Sequence, residues 1–251
     1  MQRWKLTLEY DGTDFVGWQR QAEGISVQQC LEEAVYKFSG ETVNSHVAGR
    51  TDAGVHAAGQ VAHIDLEKIL DAKTVRDAIN FHMRPHLAAV VKAEPVADDF
   101  HARFGAKKRF YRYGILVRPA APVLGGRYVW HVWTELDVAA MREGAAHLLG
   151  THDFTTFRAV ACQAKSPVRT MEKLDIAEKE GDPRLGRHIE IRAEAKSFLH
   201  HQIRNIAGTL KMVGEGKWAP DDVKRALEAR DRTKGGLTAP SSGLCFVRVE
   251  Y

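Results

Sequence analysis

The sequence predicts an α+β fold, and three observations carry that expectation. Short stretches alternate between apolar and polar residues, as where Trp4, Leu6, Leu8 and Tyr10 interleave with Lys5, Thr7 and Glu9; side chains two apart share one face of a strand. Between such stretches lie apolar stripes at helical spacing, bounded by capping residues. Strands and helices are mixed in both halves of the chain, with enough antiparallel character to favour α+β. The 251 residues and the 44% hydrophobic content suit a globular protein and argue against disorder.

Taken in order, residues 3–10 read as a half-buried strand. Ser26-Val27-Gln28-Gln29 reads as a capping box opening a helix whose stripe is Leu31, Ala34, Val35 and Phe38, closed by Gly40. Residues 61–66 read as a strand, 75–83 as a helix and 86–96 as a strand. The basic segment 107–117 alternates into Ile115 and Val117 and is expected to be a strand. Residues 137–149 read as a helix ended by Gly150, and 188–195 as a strand. Ile203, Ile206, Leu210 and Val213 place a helix over 201–213, and Pro220 suits the first turn of a helix reaching Ala229. Residues 243–251 close the chain as a strand. A linker at 100–106 divides the chain into expected halves 1–105 and 106–251. Gly12-Thr13-Asp14-Phe15 is echoed by Gly150-Thr151-His152-Asp153-Phe154, too briefly to establish a duplication.

Composition excludes several classes. No apolar run approaches the ~18 residues of a membrane helix, and the N-terminus has no signal-peptide pattern. Cys30, Cys162 and Cys245 are odd in number and far apart, which suits a reducing cytoplasm and forms neither a disulfide framework nor a metal pattern. The net charge of +4 is modest, but its distribution is uneven. Arg103, Lys107, Lys108, Arg109 and Arg112 form one stretch without acids, and Lys196, His200, His201, Arg204 and Lys211 another. Acids gather at 175–182 and at Asp221-Asp222. Such segregation fits either a polyanion-facing side or a solvated basic face. There is no His-Glu-x-x-His spacing, and the adjacent His200 and His201 are expected to point apart on a helix, so no metal is expected. Gly214-Glu215-Gly216-Lys217 lacks phosphate-loop spacing and reads as a helix end, and no Gly-x-Ser-x-Gly elbow occurs.

The segment from Ala48 to Ala57 is the most informative. It sets Asp52 among small residues and two glycines, with Arg50 two positions before it. Two readings stand. In one, Thr51 and Asp52 satisfy backbone donors of a turn whose positive φ is supplied by Gly54. In the other, an ionised carboxylate with a cationic neighbour serves as nucleophile or base where the backbone allows close approach.

Gly49-Arg50-Thr51-Asp52-Ala53-Gly54-Val55-His56-Ala57 resembles the catalytic-aspartate signature of the TruA family of tRNA pseudouridine synthases. Further segments resembling that family follow its order along nearly the whole chain: the run from Tyr10 to Gln19, Arg109-Phe110-Tyr111-Arg112-Tyr113, Gly150 to Phe154, Phe198 to Asn205, and Ala239 to Leu244. Phe110 stands where many members carry a polar or basic residue. The resemblance implies two similar α/β halves sharing a continuous, mainly antiparallel sheet, with a central basic cleft holding the Asp52 loop. It implies isomerisation of uridines at positions 38, 39 and 40 of the tRNA anticodon arm to pseudouridine, by a cytoplasmic homodimer that needs no cofactor and binds neither DNA nor membrane.

The same resemblance gives Asp52 the role of catalytic carboxylate, Arg204 that of its cation partner, Tyr111 that of a platform for the flipped base, and Arg50 that of filling the gap the base leaves. The chemistry suits these residue types. Isomerising uridine breaks an N-glycosidic bond, turns the base and makes a C–C bond, with no change of oxidation state. A base taken out of a stem loses its stacking, which an aromatic ring replaces for roughly 1–3 kcal/mol. On a strand Tyr111 and Tyr113 would share a face, and one or both fit equally as core residues; Arg204 alone fits a helix-surface arginine. Residues 12–19 and 154–158 are expected to shape the cleft, with no atom-level assignment. The rival from another class is a non-catalytic RNA-binding protein. Asp52 separates them, because a carboxylate in a basic cleft repels phosphate and gains a pure binder nothing.

Overall fold

The computed structural model describes residues 1–179 and 185–251. Among these, strands run over Gln2–Tyr10 (β1), His46–Val47 (β2), His56–Leu66 (β3), Ala88–Val96 (β4), Lys108–Val117 (β5), Trp130–Val132 (β6), Gly150–Asp153 (β7), Val168–Lys179 (β8), Arg187–Ala195 (β9) and Leu244–Glu250 (β10). Helices run over Val27–Ser39 (α1), Ala72–Met83 (α2), Val138–Ala146 (α3), Gln202–Gly214 (α4) and Pro220–Ala229 (α5). The architecture is mixed α/β with mostly antiparallel pairing, the class the patterning predicts. No helix among the described residues is long and apolar enough to cross a membrane.

Two compact units are present: Met1–Arg109 with Cys245–Tyr251, and Phe110–Leu244. The last strand therefore belongs with the first unit, where β10 pairs in parallel with β3 at Cys245↔His56 and Phe246↔Ala57. Residues 100–106 are packed rather than linker-like. Ala102 and Ala106 are buried, the Phe100 and Tyr251 rings lie 4.8 Å apart, and the Tyr251 hydroxyl donates to the Ala102 carbonyl.

In the first unit the strand order is β4-β1-β3-β10, with β2 on β3. β1 is antiparallel to both neighbours, with Leu6 opposite Ala62 and Ala93. The alternation read from sequence is the burial pattern: Trp4, Leu6 and Leu8 are within 1% of complete burial. Each such side chain contributes about 1.5–3 kcal/mol on burial. α1 and α2 contribute Leu31, Ala34, Val35, Val75, Ile79 and Met83 to the buried core. Ser26 caps α1 by accepting from the Gln29 backbone N–H, but Gln29's own amide donates to Glu33, so the capping box is half formed. Gly40 closes the helix. Phe38 is only half-buried, and Cys30 takes a core position. β3 begins five residues earlier than its apolar run: Ala57, Ala58 and Gly59 have low strand propensity, and pairing of His56 and Ala57 with β10 and of Ala57 with Tyr10 carries the strand across the register irregularity at 58–59.

In the second unit the order is β5-β9-β8-β7, with β6 parallel on β5. α3, α4 and α5 bury Met141, Ile206, Leu210, Val223 and Leu227. Asp137 caps α3, which ends at Ala146 rather than running to Gly150; the chain leaves through tight turns at Leu148 and Leu149. The strands β7 and β8 are not legible in the sequence. β7 is four polar or small residues. β8 buries Met171, Leu174 and Ile176, and an irregularity in its register between Met171 and Lys173 breaks the period of two.

Candidate active site

The first unit builds the Asp52 loop between β2 and β3, and backbone contacts fix it almost residue by residue. Ala48 N–H donates to Val61 O (2.8 Å), and Ala48 O accepts from Arg109 Nε (3.0 Å) and Nη2 (2.6 Å). Gln60 Nε2 donates to Gly49 O at 2.8 Å. Thr51 Oγ1 lies 2.8 Å from the Tyr10 hydroxyl, and Thr51 O accepts from Trp18 N–H at 3.0 Å. Asp52 O accepts from Val55 N–H, and Gly54 N–H donates to Phe15 O. A Cβ at Gly12 would sit 2.0 Å from Val55 O, so the turn after β1 reaches the loop only without a side chain. These are the roles of the 12–19 segment, which sequence alone leaves blank: it is the wall against which the loop is set.

Asp52 is half-buried and Arg50 exposed, while Thr51 and Val55 are buried. The loop thus presents alternate side chains outward from an immobilised backbone, which is the arrangement a positioned carboxylate requires. The turn reading and the carboxylate reading are compatible here, because the turn is made by backbone groups. Burial pushes the Tyr10 phenol up to about 12 against the hydrogen bonds of Gln60 and Thr51. Tyr10 therefore stays a neutral hydroxyl supporting Thr51.

In the second unit Tyr111 and Tyr113 differ in depth. Tyr113 is fully buried, donates to Pro240 O at 2.8 Å, and burial raises its phenol well above the usual range, so it is a core residue. Tyr111 is half-buried and meets Phe198 edge to face, with centroids 5.1 Å apart at 82°. Arg204, in the first turn of α4, is half-buried and donates through Nε to Ala239 O at 2.8 Å, while Ala239 N–H returns a bond to Arg204 O. The helix is tied to residues 236–240 below it. Gly208 packs where a Cβ would lie 1.8 Å from Leu237 O. Buried Asn205 donates to Phe157 O and accepts from Thr238 Oγ1 and Arg232 Nη2. Thr156 Oγ1 donates to Ala226 O and accepts from Asp231 N–H. The 154–158 segment is thus the base on which α4 and its arginine rest.

Three expectations change. His200 and His201 do not point apart on a helix: His201 caps α4 in the left-handed region (φ 61°), and the two rings are 4.1 Å apart. Arg109 is not a polyanion-facing cation; it is 8% exposed and committed to Ala48 O and Arg103 O. Lys211 is likewise paired with Glu215, and Arg112 lies 3.8 Å from Glu190. Burial disfavours the charged form of Glu190, but Lys179 and Arg192 outweigh it and hold the carboxyl below its usual range. Glu190, distant in sequence, and Glu215, one helical turn on, thus offset part of the two basic stretches, leaving Arg103, Lys107 and Lys196 exposed. As read, Gly214–Lys217 ends a helix: Glu215 caps α4 and Lys217 N–H donates to Met212 O.

Asp52 and Arg50 belong to the first unit, Tyr111 and Arg204 to the second. Sequence reasoning missed the residues that hold them, Arg109, Gln60, Asn205 and Thr156. For Gln60, Asn205 and Thr156 the only signal is a polar side chain inside an apolar or glycine-rich stretch, which does not name its partner, and Arg109 is masked by its basic neighbours.

Comparison with known proteins adds an independent line. A family model described as tRNA pseudouridine synthase matches residues 7–105 and 145–251. Three proteins named tRNA pseudouridine synthase A are similar over the full chain. That of Paramagnetospirillum magneticum is 58% identical over 251 residues, covering 100% of this chain and 96% of its own. That of Rhodospirillum centenum is 57% identical, with 100% of both chains covered. That of Acidiphilium cryptum is 55% identical, covering 100% of this chain and 97% of its own.

Proposed function

We propose that this chain, which belongs to the tRNA pseudouridine synthase family and is an isomerase acting on tRNA, converts uridines at positions 38, 39 and 40 of the anticodon arm to pseudouridine. The observation that carries the reading is the Asp52 loop: a half-buried carboxylate on a backbone held at Ala48, Gly49, Thr51 and Gly54, in the segment that bears the family's aspartate signature. Asp52 attacks the target nucleoside, the glycosidic bond to N1 breaks, the uracil turns, C5 bonds to C1′, the bond to Asp52 is released, and the C5 hydrogen leaves as a proton while N1 takes one up. No atom is gained or lost overall except that exchanged proton, so the reaction needs no redox partner or energy source.

The carboxylate must be ionised to attack, and the resemblance assigns Arg204 as the cation that favours that form. Tyr111 stacks on the extruded uracil, Arg50 fills the gap it leaves, and exposed basic residues hold the RNA backbone with marked salt dependence. A cytoplasmic homodimer with one tRNA touching both subunits belongs to the same reading.

The test is tritium release from tRNA carrying 5-³H-uridine, with wild type and Asp52→Asn side by side. Wild type is expected to release tritium; Asp52→Asn is expected to release none while binding tRNA within a few fold. Full turnover by the variant refutes the assignment of Asp52. No release by either protein favours the RNA-binding reading.

A further inference from the structure

The first unit contains a cavity of about 330 Å³ beside the Asp52 loop, lined in part by Gln19, Asn44, His46, Arg50, His101 and Arg103. No aspartate or glutamate lines it. Among the described residues neither Arg50 nor Arg103 forms an ion pair, and the side chains of Gln19 and Asn44 make no hydrogen bond within the chain. Its volume falls at the small end of ligand pockets, room for one nucleotide and not for a duplex.

We propose that this cavity seats a second nucleotide of the RNA, an unstacked neighbour of the target uridine, with its phosphate on Arg103 and its base edge on Gln19 and Asn44. The inference rests on the function proposed above and extends it to a specificity site. Arg50 places it, since it lines the cavity and stands two residues from Asp52, at most about 7 Å of backbone. A nucleotide held there is next to the reacting one, not at a remote site.

The surroundings agree. His101 Nδ1 accepts from the N–H groups of Arg103 and Phe104 at 3.1 and 3.3 Å, which orients the ring and fixes the start of the Arg103 segment. Desolvation first, then the charges of His46, Arg3 and Arg103, hold the His101 imidazole below its usual range. The cavity's field is therefore already positive without a protonated His101, and a phosphate relieves it. The nearest carboxylate on α1, Glu32, is engaged by Ser45 N–H and Oγ, by Gln28 and by Arg20. Unpartnered amides at the rim match a base edge, and unstacked bases are what sequence-reading RNA sites recognise.

The test uses the full chain and anticodon-arm RNA, with binding measured against salt concentration and initial rates measured as KM and kcat. Arg103→Gln is expected to raise KM about tenfold with kcat at saturation unchanged. It is also expected to reduce the slope of log affinity against log salt by about 0.7–0.9, one phosphate contact. Lys37→Gln, an exposed charge on α1 outside the cavity, is expected to change neither. Asn44→Ala and Gln19→Ala are expected to alter the preference among RNAs differing in the nucleotide beside the target. If Arg103→Gln behaves like Lys37→Gln while wild type turns over, the inference fails and the proposed function stands. If the amide variants leave the preference unchanged, the nucleotide assignment falls. If wild type releases no tritium, the proposed function itself is lost.

Discussion

At Tyr111, the proposed base platform, ring and hydroxyl can be tested apart. The ring is half-buried and braced edge to face by Phe198, so it offers a face for a flat partner without having to be ordered first. Tyr111→Ala is expected to weaken kcat/KM by about 1–3 kcal/mol, the worth of one base stacked on an aromatic. Tyr111→Phe keeps the ring, and an unchanged rate in single-turnover assays assigns the whole effect to stacking. Tyr113, two residues on, is a structural contrast: its hydroxyl is spent on Pro240 O and its ring is inside. Alternation in sequence put both tyrosines on one face of β5. It did not tell them apart, because depth within a face depends on what packs over each position. Asp52 and Arg50 stand out as candidates for a different reason, since their signal is a local run of small residues around one carboxylate. Arg109 was misread because its partner, Ala48 O, is 61 positions away.

The elements carry the candidate residues by their ends. β1 leads into the turn at Gly12, the β2–β3 connection carries Asp52, and the first turn of α4 carries Arg204. α4 approaches residues 236–240 so closely that Gly208→Ala forces Cβ into Leu237 O. That substitution is expected to lose at least about 1–3 kcal/mol through overpacking, read as a lowered Tm, and to lower activity with it. Ser26→Ala, by contrast, removes only the cap of α1 and is expected to cost about 1 kcal/mol with kcat unchanged. Near-neutral stability for Gly208→Ala would show that the loop is free to move away. Caps and stripes made most of the helices readable. β7 and β8 were not, because one is short and polar and the other carries an irregularity that interrupts its alternation.

For the molecule as a whole, two groups with lowered pKa values contribute to acid stability. His63 is 2% exposed, and burial first, then the neighbouring His46 and His101, lower its pKa from 6.5 to about 4. Between those values the unfolded chain binds a proton that the folded chain does not, so stability falls as pH drops from 6.5 and this loss levels off near 4. Glu215 acts lower. Burial opposes its charge, but Lys211, Lys217 and Thr134 prevail and bring it from 4.5 to about 2, so its contribution is lost as pH falls through that range. His63→Asn leaves an acceptor for Ala102 N–H and no titrating ring. Its Tm is expected to fall less than wild type's between pH 6.5 and 4; parallel curves would remove His63 from the account.

The sequence by itself determined the fold class, most elements and the candidate residues, because period, caps and short motifs are properties of neighbouring positions. Only the tertiary structure decided that β10 closes on the first unit beside β3, that Arg109 is an internal support, and that segments 12–19 and 154–158 buttress Asp52 and Arg204. Those outcomes depend on contacts between residues tens to hundreds of positions apart. Burial and pairing there are settled by the packing of the whole unit, for which no local pattern stands in.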